Sequence, residues 1–165
     1  MRAGWIAAIV VVAVISTIVS PRHLLLVVWN VTPSTPIGLY VVTQAMPKRG
    51  DLVVTRLPPG MEALAVSRAM LSANTPVLKP IAALAGDLVC RSGSAVTING
   101  RFAAIARELD RHGRSLPIWR GCRRLSASQV FILAGHPDSF DSRYYGPLDA
   151  HRARGVAHPL LTFPN

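Results

Sequence analysis

Two residues of this chain, a serine and a lysine, have surroundings that could make them reactive. Ser34 lies in the stretch Asn30–Tyr40, NVTPSTPIGLY, between Pro33 and Pro36. Prolines fix φ, remove backbone donors and push the preceding residue towards extended geometry, so this serine has a defined backbone outside any helix. A hydroxyl held in this way can act as a nucleophile if a base lies beside it. Without a base, the same stretch is a stiff turn that leads into a strand.

Two side chains are candidates for that base. Lys79 lies in the apolar run VLKPI, whereas the other lysine of the chain, Lys48, lies in a polar turn. A free lysine has a pKa of about 10.4, but burial among apolar groups can lower that value by about 3–5 units. Lys79 is therefore either a surface residue with its amine in water or a deprotonated base. His136 is the second candidate, and its alternative is an ordinary position in a surface turn.

Several other kinds of site are missing from the sequence. It contains neither the G-x-x-x-x-G-K-S/T phosphate loop nor G-x-G-x-x-G, and its five histidines lack a ligand spacing such as H-x-x-x-H. We therefore expect no metal site and no cofactor. Cys90 and Cys122 do not form a C-x-x-C pair, so a zinc ribbon or a thioredoxin-like site is not expected. If the body lies outside the cytosol, we expect them to form one disulfide.

The first residues of the chain indicate a membrane segment. Gly4–Val19 is an uncharged apolar run, and half of all residues are hydrophobic. As a helix, sixteen residues would span about 24 Å, at the short end for a hydrocarbon core of ~30 Å. An uncleaved anchor is the favoured interpretation, because no clear small-x-small cleavage site precedes Pro21. A cleaved signal peptide and a buried core helix are the alternatives.

The remainder of the chain has the pattern of a mainly β body. Short apolar runs alternate with Gly and Pro turns, and Asn99-Gly100 between two such runs predicts a hairpin. Leu24–Trp29 is either a buried strand or an apolar surface on the bilayer. Seven arginines lie in Arg101–Arg124, and the net charge is +10, which suggests an anionic partner. This segment is either a solvated, mobile excursion or a basic surface for lipid headgroups or substrate.

Four sequence blocks in order resemble the type I signal peptidases, which use a serine–lysine dyad, and among them the TraF-type peptidases of conjugative transfer. The blocks are TPSTPIGLY (32–40), RGDLVV (49–54), VLKPIAALAGDLV (77–89) and GHPDSFDSRYYGP (135–147). General signal peptidases usually have methionine after the serine and arginine after the lysine, where this chain has Thr35 and Pro80. These departures place the resemblance closer to the TraF type than to general secretion.

The resemblance implies a role for each residue of the site. Ser34 is implied as the nucleophile and Lys79 as the general base. The backbone N–H of Ser34 and the hydroxyl of Thr32 are implied as donors to the oxyanion. Asp141 and Arg143 are implied to form an ion pair that holds the last block, and Ser139 to hydrogen-bond the lysine.

The resemblance also implies an architecture and a function. We expect a membrane anchor at residues 1–20, an apolar juxtamembrane strand at 21–29, and a signal-peptidase-like antiparallel β domain at 30–165 with a basic excursion at about 101–124. The implied activity is cleavage of a membrane-tethered conjugative pilin precursor, with or without cyclisation, on the periplasmic face of a bacterial inner membrane. Lipid is an implied partner, and nucleic acid is not required.

Two alternatives to that function remain. One is a housekeeping signal peptidase that removes secretory signal peptides. The other is a non-enzymatic basic scaffold of a transfer apparatus that binds DNA or lipid through Arg101–Arg124, but it leaves the four blocks unexplained.

Overall fold

The computed structural model describes residues 26–163, which form eleven strands, two short α-helices and one 3-10 turn. In chain order these elements are β1 (Leu26–Asn30), β2 (Ile37–Thr43), β3 (Leu52–Thr55), α1 (Pro59–Ser67), β4 (Val77–Ala83), β5 (Leu88–Ser92), β6 (Ala95–Ile98), β7 (Arg101–Ile105), β8 (Gly121–Arg124), β9 (Gln129–Ile132), α2 (Ser142–Tyr145), β10 (Leu148–Asp149), the 3-10 turn (Ala150–Arg152) and β11 (Ala153–Phe163). Every strand pair is antiparallel. The mainly β, antiparallel body expected from the sequence is confirmed.

The larger sheet has seven strands in the order β1-β2-β11-β3-β4-β9-β10. The last strand of the sequence, β11, therefore lies inside this sheet and separates the β1–β2 hairpin from the β3–β4 pair. The backbone of β11 approaches β2 so closely at Gly38 that a Cβ there would collide with the carbonyl oxygen of Leu161. Because Gly38 also has a φ of +149°, glycine is required at this position of the IGLY segment.

The smaller sheet has four strands in the order β7-β6-β5-β8. The predicted hairpin at Asn99-Gly100 joins β6 to β7, and both turn residues have positive φ, at 51° and 77°. Cys90 of β5 lies opposite Cys122 of β8, and the two form a disulfide, which confirms the pairing expected from the sequence. This cross-link closes a chain segment of 32 residues.

One hydrophobic core joins the smaller sheet to the end of the larger one. Its members include Val89 and Val96 from the smaller sheet, Phe131 from β9, and Trp119 from the connection between β7 and β8. Trp119 and Phe131 meet edge to face with ring centroids 6.1 Å apart. The basic segment 101–124 thus contains two strands and contributes an aromatic residue to the core, while its arginines lie largely towards solvent.

Part of the expected domain organisation lies outside the described residues. The anchor at residues 1–20 and the first residues of the juxtamembrane segment belong to that part, whereas Leu26–Asn30 forms the edge strand β1. Within residues 26–163 there is no helix with the length and apolar character needed to cross a membrane.

Candidate active site

The loop that carries Ser34 joins β1 to β2 and is held by the buried amide of Asn30 and by the Tyr40 hydroxyl, which donates to the carbonyl of Pro36 at 2.7 Å. Asn30, the last residue of β1, is 4% exposed. Its Nδ2 donates to the carbonyl oxygens of Thr32, Thr35 and Pro36 at 2.9–3.0 Å. Its Oδ1 accepts from the backbone N–H and the hydroxyl of Thr32 at 3.1 and 2.8 Å. Because prolines remove two backbone donors from this loop, the Asn30 amide provides the bonds that fix its shape.

Lys79 reaches Ser34 from β4, which is separated from β2 by β11 and β3 in the same sheet. It lies in β4, is 5% exposed, and is flanked in sequence by the buried Leu78. Its Nζ lies 2.7 Å from Ser34 Oγ and 2.7 Å from Ser139 Oγ. The three side chains come from the β1–β2 loop, from β4 and from the loop after β9, so the fold brings together residues up to 105 positions apart in the chain.

Burial also changes the acidity of this lysine. Removal from water disfavours the ammonium and lowers the pKa of Lys79 from 10.5 to about 8. The Asp141 carboxylate raises this pKa and the Arg143 guanidinium lowers it, and both effects are smaller than that of burial. A substantial fraction of Lys79 is therefore neutral in weakly alkaline water, and the neutral amine can accept a proton.

Asp141 and Arg143 form a buried ion pair behind Ser139. Their side chains are 0% and 3% exposed, and the guanidinium meets the carboxylate through two bonds, Nε–Oδ1 at 2.8 Å and Nη2–Oδ2 at 3.0 Å. Asp141 also accepts from the backbone N–H of Ala134 at 3.0 Å and caps α2 through the N–H of Arg143. Arg143 in turn donates to the carbonyl of Ala134 at 2.6 Å and to that of Pro137 at 3.2 Å. The pair therefore fixes both ends of the loop that carries Ser139.

The remaining candidates from the sequence have different positions. Thr32 Oγ1 lies 3.4 Å from Ser34 Oγ, and its hydroxyl proton can also be donated to Asn30 Oδ1. His136 lines the same cleft, but its Nδ1 accepts a hydrogen bond from the backbone N–H of Asp138. The amine in contact with the Ser34 hydroxyl is that of Lys79.

The three polar side chains open into a cleft of about 280 Å³. Its lining includes apolar residues such as Leu57, Met70 and Val77 and charged residues such as Arg107 and Asp138. A second cavity of about 310 Å³ lies on the far side of Thr32, between the end of β1 and residues 69–76. Thr32, Met70 and Leu71 line both cavities.

The role of Asn30 is the feature of the site that the sequence did not indicate. Asn30 lay within the stretch singled out from the sequence, but nothing in the pattern showed that its amide organises the loop. A polar residue directly after an apolar strand and before a proline-rich loop is the available signal. Across residues 26–163, no three His, Cys, Asp or Glu side chains are grouped as metal ligands.

Comparison with known proteins identifies the family. The family model described as signal peptidase, peptidase S26, matches residues 1–161. The plasmid transfer protein TraF of Escherichia coli is 27% identical over 146 residues, which cover 81% of this chain and 82% of that protein. The probable conjugal transfer protein TraF of Sinorhizobium fredii is 33% identical over 147 residues, covering 81% of this chain and 76% of that protein.

Among solved structures, a signal peptidase I from Enterococcus faecalis aligns with a TM-score of 0.40 and 18% identity, over 69% of this chain and 98% of that one. The family match spans nearly the whole chain, and the TraF proteins share about a third or somewhat less of its residues. The chain therefore belongs to the signal peptidase family S26, in its TraF-type branch.

Proposed function

We propose that this protein is a membrane-associated serine endopeptidase that cleaves the precursor of a conjugative pilus subunit, with Ser34 as nucleophile and Lys79 as general base. The observation that carries the proposal is the 2.7 Å contact between Ser34 Oγ and a buried Lys79 Nζ whose pKa is lowered to about 8. A serine hydroxyl needs an adjacent base to become a nucleophile, and a lysine needs burial to become a base at neutral pH.

The first half of the reaction forms an ester and releases an amine. Neutral Lys79 takes the proton of the Ser34 hydroxyl while Oγ bonds to the scissile carbonyl carbon. The resulting Lys79 ammonium then gives that proton to the leaving nitrogen, and the C–N bond breaks. During this step Ser139 Oγ accepts a hydrogen bond from Nζ, which keeps the amine directed at Ser34 in both charge states.

The second half resolves the ester. Water attacks the acyl-serine carbonyl, Lys79 accepts a proton from it, and the proton returns to Ser34 Oγ as the ester bond breaks. If the amino group of the substrate itself attacks in place of water, the product is a cyclic peptide and no water is consumed. The enzyme groups have the same roles in both cases, so the access of water decides between the two products.

The tetrahedral intermediate of each half carries an oxyanion that needs donors already aimed at it. The backbone N–H of Ser34 and the hydroxyl of Thr32 are the proposed donors. Since the Thr32 proton can be donated to Asn30 Oδ1 at 2.8 Å, the hydroxyl has to rotate towards the oxyanion as substrate binds. Asn30 therefore determines the starting position of this donor.

The proposed location is the periplasmic face of a bacterial inner membrane. Large apolar side chains are exposed on β1 and on the end of β11, beside the loop that carries Ser34; they are Leu26, Val27, Trp29, Leu160, Leu161 and Phe163. Trp29 and Phe163 contact each other with ring centroids 6.5 Å apart. This apolar surface continues the apolar sequence that precedes it and supports contact with the bilayer. A tethered substrate would then meet the site at a high effective concentration.

The test is to incubate the full chain in detergent with a candidate pilin precursor and to measure the intact mass of the product. We expect cleavage by the native chain and none by Ser34→Ala or Lys79→Ala. Ser128→Ala and Lys48→Ala are matched controls, because both residues are exposed and lie outside the cleft. A hydrolysed product is heavier than a cyclised one by the mass of one water. Normal processing by either active-site variant would refute the dyad.

The description of the matching family as signal peptidase favours a second candidate function, the removal of secretory signal peptides. It uses the same dyad on a different substrate. Cleavage of secretory precursors together with failure on pilin precursors would establish this alternative.

A further inference from the structure

A buried arginine outside the proposed dyad has no carboxylate partner among residues 26–163. Arg91 of β5 is 2% exposed, and its side chain is among the largest fully buried ones in the described chain. Its guanidinium donates to three backbone carbonyls: Nε to Gly93 at 3.2 Å, and Nη1 to Pro117 at 3.2 Å and Arg143 at 2.8 Å. Its Nη2 has no hydrogen-bond partner within residues 26–163.

Stability alone does not account for a guanidinium in this place. Burial of a charge is costly unless it is paired, and a buried ionic group can often be replaced by an apolar one of similar volume without loss of stability. An unbranched apolar residue could fill the same volume without an unsatisfied Nη2. What it could not provide is the guanidinium donor to the carbonyl oxygen of Arg143, which at 2.8 Å is closer to that oxygen than Trp119 Nε1 at 3.2 Å.

The carbonyl of Arg143 belongs to the short helix α2, which depends on contacts with the rest of the protein for its position. The helix α2 has four residues, and a single helical turn is unstable without outside contacts. Two side chains outside α2 donate to its backbone: Arg91 Nη1 donates to the carbonyl of Arg143, and Trp119 Nε1 donates to the carbonyls of Ser142 and Arg143 at 3.1 and 3.2 Å. These donors fix the backbone of α2 relative to the smaller sheet.

The position of α2 is transmitted to Lys79 through the Arg143 side chain. Its guanidinium binds the carbonyls of Ala134 and Pro137, which precede Ser139, and the carboxylate of Asp141, which follows it. Ser139 Oγ in turn contacts Lys79 Nζ at 2.7 Å. A shift of α2 therefore displaces the loop through which Ser139 contacts Lys79.

We propose that Arg91 is a positioning residue for the reaction: by holding the carbonyl of Arg143, it keeps the Ser139 loop closed over Lys79 and keeps that amine desolvated. The disulfide supports this role, because Cys90, the neighbour of Arg91, is bonded to Cys122 and so fixes β5 to β8 at this point. The kinetic part of the inference rests on the proposed function, whereas the part that concerns Lys79 does not.

The test compares Arg91→Met with Arg91→Lys in the full chain in detergent. Arg91→Met keeps a long unbranched side chain and loses every hydrogen-bond donor, while Arg91→Lys keeps one charged donor nitrogen. The matched control is Arg124→Met, which removes an arginine of the adjacent strand β8 that donates at 2.8 Å to the carbonyl of Gly86, outside the Ser139 loop. The first readout is the titration of Lys79 by competitive labelling with acetic anhydride and mass spectrometry, for which Lys48 is the internal reference.

In Arg91→Met, we expect water to enter beside Lys79 and its labelling midpoint to rise from about 8 towards 10.5. With a cleavable precursor, we expect kcat to fall about tenfold or more and KM to change by less than about twofold, since the geometry of the reacting groups changes and the substrate contacts do not. Arg91→Lys should recover part of both effects, and Arg124→Met should show neither.

A folded Arg91→Met protein with an unchanged Lys79 midpoint and an unchanged kcat would overturn the inference. Loss of folding in both Arg91 variants, seen as a red-shifted tryptophan fluorescence and the absence of a cooperative urea transition, would also overturn it by making Arg91 a structural residue. If the native chain cleaves no precursor while the Lys79 midpoint still shifts in Arg91→Met, the proposed function fails and the positioning role of Arg91 stands.

Discussion

Changing the pH should titrate the proposed base and so distinguish it from a histidine. With a pKa of about 8, Lys79 is neutral in about one molecule in ten at pH 7, whereas an ordinary lysine is neutral in about one in 3,000. Burial thus increases the concentration of active base at neutral pH by about 300-fold. If Lys79 acts as the base, kcat/KM should follow this neutral fraction.

The expected profile can be calculated from the same value. Between pH 6 and pH 9 the neutral fraction of a group with a pKa of about 8 rises about 90-fold. A histidine of ordinary pKa, about 6.5, would lose its proton over a lower range and give a rise of only about fourfold. The two bases therefore predict profiles that differ by more than an order of magnitude.

The assay measures initial rates of precursor cleavage from pH 6 to pH 10 at constant ionic strength, with product quantified by mass spectrometry. We expect log kcat/KM to rise with a slope near one and to level off above pH 8. His136→Ala is the informative control, because it removes the other candidate base and should leave the midpoint in place. A midpoint well below 8 that disappears in His136→Ala would refute the assignment of Lys79.

Three further predictions concern stability and can be measured by urea unfolding monitored with tryptophan fluorescence. The folded pKa of Lys79 lies below its unfolded value, so the free-energy penalty of burying its ammonium is complete below pH 8 and vanishes as the pH rises towards 10.5. Relative to Lys79→Met, the native chain should therefore gain about 2 kcal/mol in free energy of unfolding between pH 7 and pH 9.5. Parallel curves of unfolding free energy against pH for the two proteins would contradict this. Asp141→Asn leaves the buried Arg143 charge unpaired and should cost about 3–5 kcal/mol, so a loss below 1 kcal/mol would show that the pair is not desolvated. Gly38→Ala places a Cβ against the Leu161 carbonyl at a φ of +149° and should cost roughly 3 kcal/mol or more, and a stable variant would mean that β11 can move away from β2.

The sequence was sufficient to predict the polar centre of the site and insufficient to predict its framework. Ser34, Lys79 and Ser139 were singled out because proline frames, an apolar run around a lysine and an ordered set of blocks are local patterns, and the structure brings these three side chains into hydrogen-bond contact. The role of Asn30 could not be predicted, because it depends on where carbonyl groups within the following loop point. The contact between Arg91 and the carbonyl of Arg143 spans 52 residues and leaves no local pattern.

In the fold, too, a local turn could be predicted from the sequence and the pairing of distant strands could not. The hairpin at Asn99-Gly100 was predicted because the turn residues themselves require positive φ. The position of β11 was not predicted, because pairing between distant strands depends on the complete set of side-chain contacts. The helix α2 lies in a stretch whose glycine, proline and aspartate residues indicated turns, and it forms because Asp141 caps it and tertiary contacts hold it.

The place of β11 in the sheet has a consequence for the order in which the enzyme matures. The two residues of the proposed dyad come from elements that are not neighbours in the sheet. Ser34 lies in the loop before β2 and Lys79 lies on β4, and both β11 and β3 stand between β2 and β4. Ser34 and Lys79 therefore reach their final geometry only when residues 153–163 have been synthesised and inserted between β2 and β3. A chain that has not yet formed β11 would therefore lack the assembled contact between Ser34 and Lys79.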